Sequence, residues 1–229
     1  MRDCEFWSPY LAWSGPLLRG AQPISPVLRY RKILEMATEI YGSDIVVVDS
    51  TKTTEGLDIA VEAVPSLKTI HLVKDVRSFV YGVQRRQKKA APWWGAIYSA
   101  YWWHANRNID RTIAELGLKS IRVGYEELCF DEAALLKRVY NFANLLAETA
   151  LASSGPGRNH LAIGNRMKVS ADLAGDLTYD HRWLWSKEPR LAPLLRGSIL
   201  ARNTEWVYSN LSSFHKFSER KVDGHRVGG

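Results

Sequence analysis

Cysteine is scarce in this chain of 229 residues. Only Cys4 and Cys129 occur, far apart, with no CxxC pair and no neighbouring histidine pattern. That spacing argues against a disulfide framework and against a zinc site, both of which need clustered ligands. Long apolar runs are missing as well: none approaches the roughly 20 residues that cross a bilayer, so no transmembrane segment is expected. The opening MRDCEFWSPY lacks the apolar centre of a signal peptide, and the expectation is a cytoplasmic protein. Acidic residues are in deficit, 24 against 31 lysines and arginines, for a net charge of +7 and a pI near 9.4. Such a balance favours anionic partners, whether phosphates, sulfates, nucleic acid or acidic lipids. No internal repeat is visible, and no nucleic-acid motif or repeated basic–aromatic module, so nucleic acid is not an expected partner.

What is present is ordinary for a globular chain: 46% hydrophobic and 24% charged residues. The length suits one sizeable α/β domain with a real core, or two small ones. The nine tryptophans cluster at Trp93–Trp94, Trp102–Trp103 and Trp183/Trp185. They serve either core packing or an aromatic wall beside a ligand.

Hydrophobic spacing divides the chain into strand and helix units. Tyr30, Ile33, Leu34, Ala37, Ile40 and Tyr41 form a helical stripe, with Ser25–Pro26 suited to its start and Gly42 to its end. The run Ile45–Val48 in SDIVVVDSTKTTEGL reads as a buried strand. A helix over Thr54–Ala63 and a strand over Leu67–Val73 follow. Helices are then predicted over Arg77–Lys89, weakened by Gly82, and over Trp93–Leu116, ending at Gly117. A third strand covers about Ser120–Val123. Asp131 caps a last helix with Leu135, Leu136, Val139, Phe142, Ala143 and Leu146 on its buried face. Ser153–His160 is the clearest loop. Residues 1–215 read as a single domain, and the basic, glycine-ended 216–229 as a disordered tail.

Strands alternating with helices imply βαβ units and a parallel sheet. In such sheets ligands sit beyond the carboxyl ends of the strands. The first strand delivers Asp49, Ser50, Thr51 and Lys52 there, the second Lys74, Asp75 and Arg77, the third Tyr125, Glu126 and Glu127. Cations and hydroxyl donors facing one crevice suit an anionic ligand, and a tyrosine at the same rim can stack on a purine. Against this stands the simpler reading of Lys52 and Lys74 as surface charges paired loosely with Asp49 and Asp75. A further basic turn, GNRMK, places Arg166 and Lys168 after Gly164–Asn165.

Four of these segments, in order, resemble the motifs of the sulfotransferases that use 3′-phosphoadenosine 5′-phosphosulfate (PAPS), in particular their bacterial branch. The family's VDSSK is here VDSTK, its LVRDPR is LVKDVR, its YEDL is YEEL, and its GNPMR is GNRMK. The opening DCEFW is similar to the bacterial members too, and the resemblance runs from about residue 3 to about residue 200. It implies a three-layer α/β/α fold with a parallel sheet, similar to the P-loop nucleoside triphosphate hydrolases and nucleotide kinases. The implied donor is PAPS, with no metal, and the acceptor is a hydroxyl or amine on a small molecule, glycan or lipid.

Carried over by position, Lys52 matches the lysine beside the transferring group, with Ser50 and Thr51 shaping its turn or donating to the anion. Lys74 matches the family arginine on the 3′-phosphate, and Lys168 the last basic residue of the late turn, another 3′-phosphate contact. Arg77 ends the second motif, and Tyr125 matches the tyrosine near adenine. Three departures accompany the match. Lysines stand for both matched arginines, which keeps the charge but loses the bidentate fork. Gly82 stands where the family has a serine. The family's first strand and glycine- and serine-rich 5′-phosphosulfate loop have no counterpart; Gly15 and Gly20 in GPLLRGAQ lack the lysine–hydroxyl pair and a preceding strand. The expectation is therefore a shortened sulfotransferase, from a misplaced start or a gene fragment, or alternatively a non-catalytic nucleotide- or anion-binding protein of that fold. His71, His104 and Glu55 are candidate bases, His71 being suited to a structural role inside its strand.

Overall fold

The computed structural model describes residues 4–18, 24–50, 52–88, 91–145, 179, 181–185 and 197–210. Two compact units emerge, one from residues up to Leu67 and one from Lys68 onward.

In the first unit, α1 (Trp7–Leu18), α2 (Pro26–Tyr41) and α3 (Thr54–Ala63) are all helical. Helix α1, with Pro16 inside it, was not legible as a helix in the sequence. Helix α2 begins at Pro26, whose missing N–H costs nothing in a first turn, and closes at Gly42, where φ is 91°. Its stripe buries Met36 and Ala37 against Phe6, with Trp7, Tyr10, Ile33 and Ile45 around them. Thr53 caps α3 by accepting from the Gly56 N–H at 3.0 Å. The guanidinium of Arg31 ties α2 to α3 through the Glu62 carbonyl at 2.9 Å.

The second unit is built on a parallel pair, β1 (Lys68–Val73) and β2 (Lys119–Gly124), in register from Lys68↔Lys119 to Val73↔Gly124. Parallel strands need a long crossover, supplied here by α4 (Val76–Gln87) and α5 (Pro92–Glu115). After β2 come α6 (Tyr125–Phe130), α7 (Glu132–Ala143), a 3-10 turn over Arg182–Leu184 and α8 (Ser198–Val207). The chain is thus mixed α/β, mostly helical, with a small parallel sheet among the described residues.

Two strands are unstable alone, and helices pack on both faces of this pair, although Ile70 and Leu72 of β1 stay exposed beside Ile121 and Val123. On one face Ile121 and Val123 pack with Leu135 of α7, along with Leu128, Val139 and Phe142. On the other, Val73 joins Val76, Val80, Trp102, Trp206 and Val207 in a core cluster. Burying each valine contributes about 1.5–3 kcal/mol over leaving it exposed. Of the tryptophans, Trp102 and Trp206 are core and tilt together at 5.4 Å between ring centroids, whereas Trp93 and Trp185 are exposed.

One expectation fails outright. Ile45–Val48 enters no ladder, and Val46, Val47 and Val48 are exposed. β-Branching suits a strand only where a neighbour completes the hydrogen bonds and covers the side chains, and among the described residues β1 pairs with β2 alone. Ser153–His160, the tail over 216–229 and Leu146 lie outside the described residues.

Candidate functional site

The carboxyl ends of β1 and β2 carry the richest concentration of polar groups. Because the strands are parallel and in register, Val73 pairs with Gly124, so Lys74–Arg77 and Tyr125–Glu127 emerge side by side. The Lys74 Nζ stands 5.2 Å from the Tyr125 ring centroid, a cation–π contact. The indole of Trp102 donates to the Lys74 carbonyl at 2.8 Å, holding its backbone.

Next to Lys74, Asp75 is fully buried and surrounded by donors. Its Oδ1 accepts from the Arg77 N–H at 2.7 Å and from Arg77 Nε at 3.0 Å. Its Oδ2 accepts from Arg77 Nη2 at 2.6 Å, Asn203 Nδ2 at 2.9 Å and Tyr208 Oη at 2.8 Å. Burial alone pushes this carboxyl up, but Arg77, Asn203 and Tyr208 outweigh it and hold the acid below the usual carboxylate value. The partners feel the reverse. Burial and Asp75 raise the Tyr208 phenol, and the hydrogen bond to Asp75 raises Arg77. The Arg77 guanidinium also lies over the Trp183 ring at 4.5 Å.

Glu126, also fully buried, completes the group. Its Oε2 accepts from the Asp75 N–H at 2.8 Å, while Oε1 has no hydrogen-bond partner among the described residues. Burial, with the Asp75 charge adding to it, pushes this carboxyl up to about 7 against the pull of the Asp75 N–H and Lys74. An unpaired buried oxygen is costly as a carboxylate and much less so as an acid. Glu127 works structurally instead: its carboxylate accepts from the Gly124 N–H at 3.3 Å and from Asn210 Nδ2 at 2.8 Å.

The sequence-predicted residues separate as follows. Lys74, Arg77 and Tyr125 share this group in the second unit. Ser50 and Lys52 lie in the first unit, both exposed, after the unpaired Ile45–Val48. Thr51 and Lys168 lie outside the described residues. The aspartates for which loose pairings were expected have specific partners. Asp75 is held by Arg77, and Asp49 by the Tyr30 phenol, which burial and Asp49 push up to about 12.

Of the candidate bases, His71 is locked in place. Its Nδ1 meets Asp110 Oδ1 at 2.9 Å and its Nε2 meets Asn106 Oδ1 at 3.0 Å, and Arg122 Nη2 donates to Asp110 Oδ2 at 2.7 Å. Burial raises the Asp110 carboxyl, but His71 and Arg122 outweigh it and leave the acid below its ordinary value. Glu55 and His104 are exposed, on α3 and α5 respectively.

The sequence reading passed over Asn203, Tyr208 and Asn210 in ARNTEWVYSN. The stretch is mostly polar, with Trp206 and Val207 as its apolar mark, and nothing local sets these three apart from Arg202, Thr204, Glu205 and Ser209. Gly82 is exposed, with open space where a side chain would project. A hollow of about 110 Å³ lined by Glu127, Asp131, Ala134, Leu135, Arg138 and Asn210 is smaller than the ~300 Å³ or more of a typical ligand pocket. No protein-family model matches the chain, and it matches no curated protein and no solved structure.

Proposed function

We propose that this chain binds a 3′-phosphorylated adenine nucleotide at the ends of β1 and β2 and acts as a sulfotransferase, moving a sulfuryl group from PAPS to a hydroxyl or amine acceptor. One observation carries the reading: the lysine and the tyrosine that the family motifs assign to the 3′-phosphate and the adenine, Lys74 and Tyr125, meet at adjacent parallel strand ends. Their chemistry fits such a nucleotide, an ammonium for the phosphate and an aromatic face for the purine. Arg77 supports the site indirectly. By neutralising Asp75 it keeps a neighbouring carboxylate from cancelling the Lys74 charge. In this reading the sheet and its helices belong to a three-layer, P-loop-like fold.

Transfer would form a bond from acceptor oxygen or nitrogen to sulfur as the bond from sulfur to the 5′-phosphate oxygen breaks. The nucleotide leaves with the charge, and the acceptor's proton passes to a base. The protein's part is in-line positioning and charge stabilisation, the role of Lys52 under the resemblance. The non-catalytic alternative draws on one observation of its own: the segment leading to Ser50 and Lys52 takes no place in the sheet.

Calorimetric titration with 3′-phosphoadenosine 5′-phosphate, with 5′-AMP as control, tests the binding reading. The 3′-phosphorylated nucleotide should bind more tightly, and Lys74→Ala should erase that preference, a loss of about 1.5–3 kcal/mol for a charged hydrogen bond. Equal affinity for the two nucleotides, or a preference that survives Lys74→Ala, overturns it. Sulfuryl turnover with a phenolic acceptor then separates enzyme from binding protein.

A further inference from the structure

Between Asp75 and Asp110 the chain contains no aspartate or glutamate, yet it carries Arg77, Arg85, Arg86, Lys88, Lys89 and Arg107. The structure sorts this acid-free stretch into an inward and an outward half. Arg77 is held by Asp75, whereas Arg85, Arg86 and Lys88 are exposed at the C-terminal end of α4. Helix α5 buries Trp102 but turns Trp93, Ile97 and Tyr101 outward, 62%, 49% and 62% exposed. These three are four residues apart, hence on one face, and span about 12 Å of helix. Ala96 and Ala100, also exposed, lie on the same side, so no charge interrupts the stripe.

Cations and stripe belong to one packed helix pair. The Tyr98 phenol donates to Gln87 Oε1, and Gln87 stands between Arg86 and Lys88. Phe79 of α4 stacks on Tyr101 at 6.3 Å. The end of α4 therefore runs beside the first half of α5, so one helix pair carries both the exposed cations and the exposed tryptophan, isoleucine and tyrosine.

We propose that this face of α4 and α5 docks on an anionic lipid surface, the stripe entering the headgroup boundary and Arg85, Arg86 and Lys88 meeting lipid phosphates. Aromatic rings favour the headgroup level, and an amphipathic face gains there from both apolar burial and attraction to anionic lipid. A nucleic acid fits less well. It needs cations tracking its backbone between stacking rings, whereas here the cations sit at one end and the stripe holds aliphatic Ile97 and two alanines. No helix among the described residues is long and apolar enough to cross a membrane, so the contact is peripheral.

Vesicle flotation of the full chain tests this, with phosphatidylcholine alone and with about 30% phosphatidylglycerol mixed in. Partitioning should be at least about tenfold stronger on the anionic vesicles, with a blue shift of tryptophan emission. Arg85→Gln with Arg86→Gln should weaken it roughly 25-fold, about fivefold for each cation near the surface. Trp93→Gln with Ile97→Gln should weaken it about tenfold or more and abolish the blue shift. Lys137→Gln with Arg202→Gln, equal in charge but on α7 and α8, should change it less than about twofold. All these positions are exposed, and circular dichroism should show each variant folded. No partitioning, equal partitioning on neutral vesicles, or equal weakening by the Lys137/Arg202 pair overturns the proposal. So does a pattern in which the Arg85/Arg86 pair weakens binding to a single-stranded oligonucleotide but not to vesicles.

Discussion

Asp75 shows how much a single carboxylate can organise. It caps α4 through the Arg77 N–H, locks the Arg77 side chain at both oxygens, and anchors α8 and the residue after it through Asn203 and Tyr208. Removing one partner of a buried ionic group leaves the others unpaired, which costs far more than the pair's net worth. Asp75→Ala should therefore destabilise the protein by about 3–5 kcal/mol in urea unfolding. A loss near that of a surface substitution would mean that the donors find other partners. At this scale the sequence was half legible: LVKDVR marks a charged strand end, but the far partners of Asp75, Asn203 and Tyr208, lie well over a hundred residues away in the chain.

Among the elements, the junction of β2, α6 and α8 is decided by a glycine. Gly124 ends β2, and a Cβ there would collide with the Val207 carbonyl oxygen at the end of α8. The neighbour is backbone, so it cannot rotate away. Gly124→Ala should cost at least about 1–3 kcal/mol through overpacking, read as a lower urea midpoint with unchanged slope. The hydrophobic pattern predicts β1, β2, α4, α5 and α7 to within a few residues because each carries its period locally. Helix α4 stops at Gln87, with Lys88 at φ 54°, just short of the predicted Lys89. The failed strand, Ile45–Val48, has the right composition too. Composition records a preference for extended backbone and not the presence of a neighbour.

For the molecule as a whole, the buried carboxyls predict opposed slopes of stability against pH. Asp75 and Asp110 lie below their ordinary values when folded. The stability they contribute is present above the unfolded aspartate pKa of about 3.9 and lost as pH falls through their folded values. Glu126, raised to about 7, acts the other way. The folded state holds its proton more tightly, so its contribution is complete below the unfolded value and lost as pH rises through about 7. Stability should peak in mild acid and decline toward pH 8 by up to roughly 3 kcal/mol from this group. In Glu126→Gln, urea unfolding at a series of pH values should show that alkaline decline flattened. An unchanged decline would place its origin elsewhere.

The sequence by itself determined most of the helices and the two paired strands, a cationic segment after one strand and an aromatic one after the other, and the basic surplus. These are properties of neighbouring residues, set by local period and by side-chain chemistry. The tertiary structure alone decided which strand ends share a rim, which cations are neutralised and which stay exposed, and which buried acid holds its proton. Each of these depends on residues distant in the chain arriving at the same place. There, burial magnifies every charge that lacks a partner.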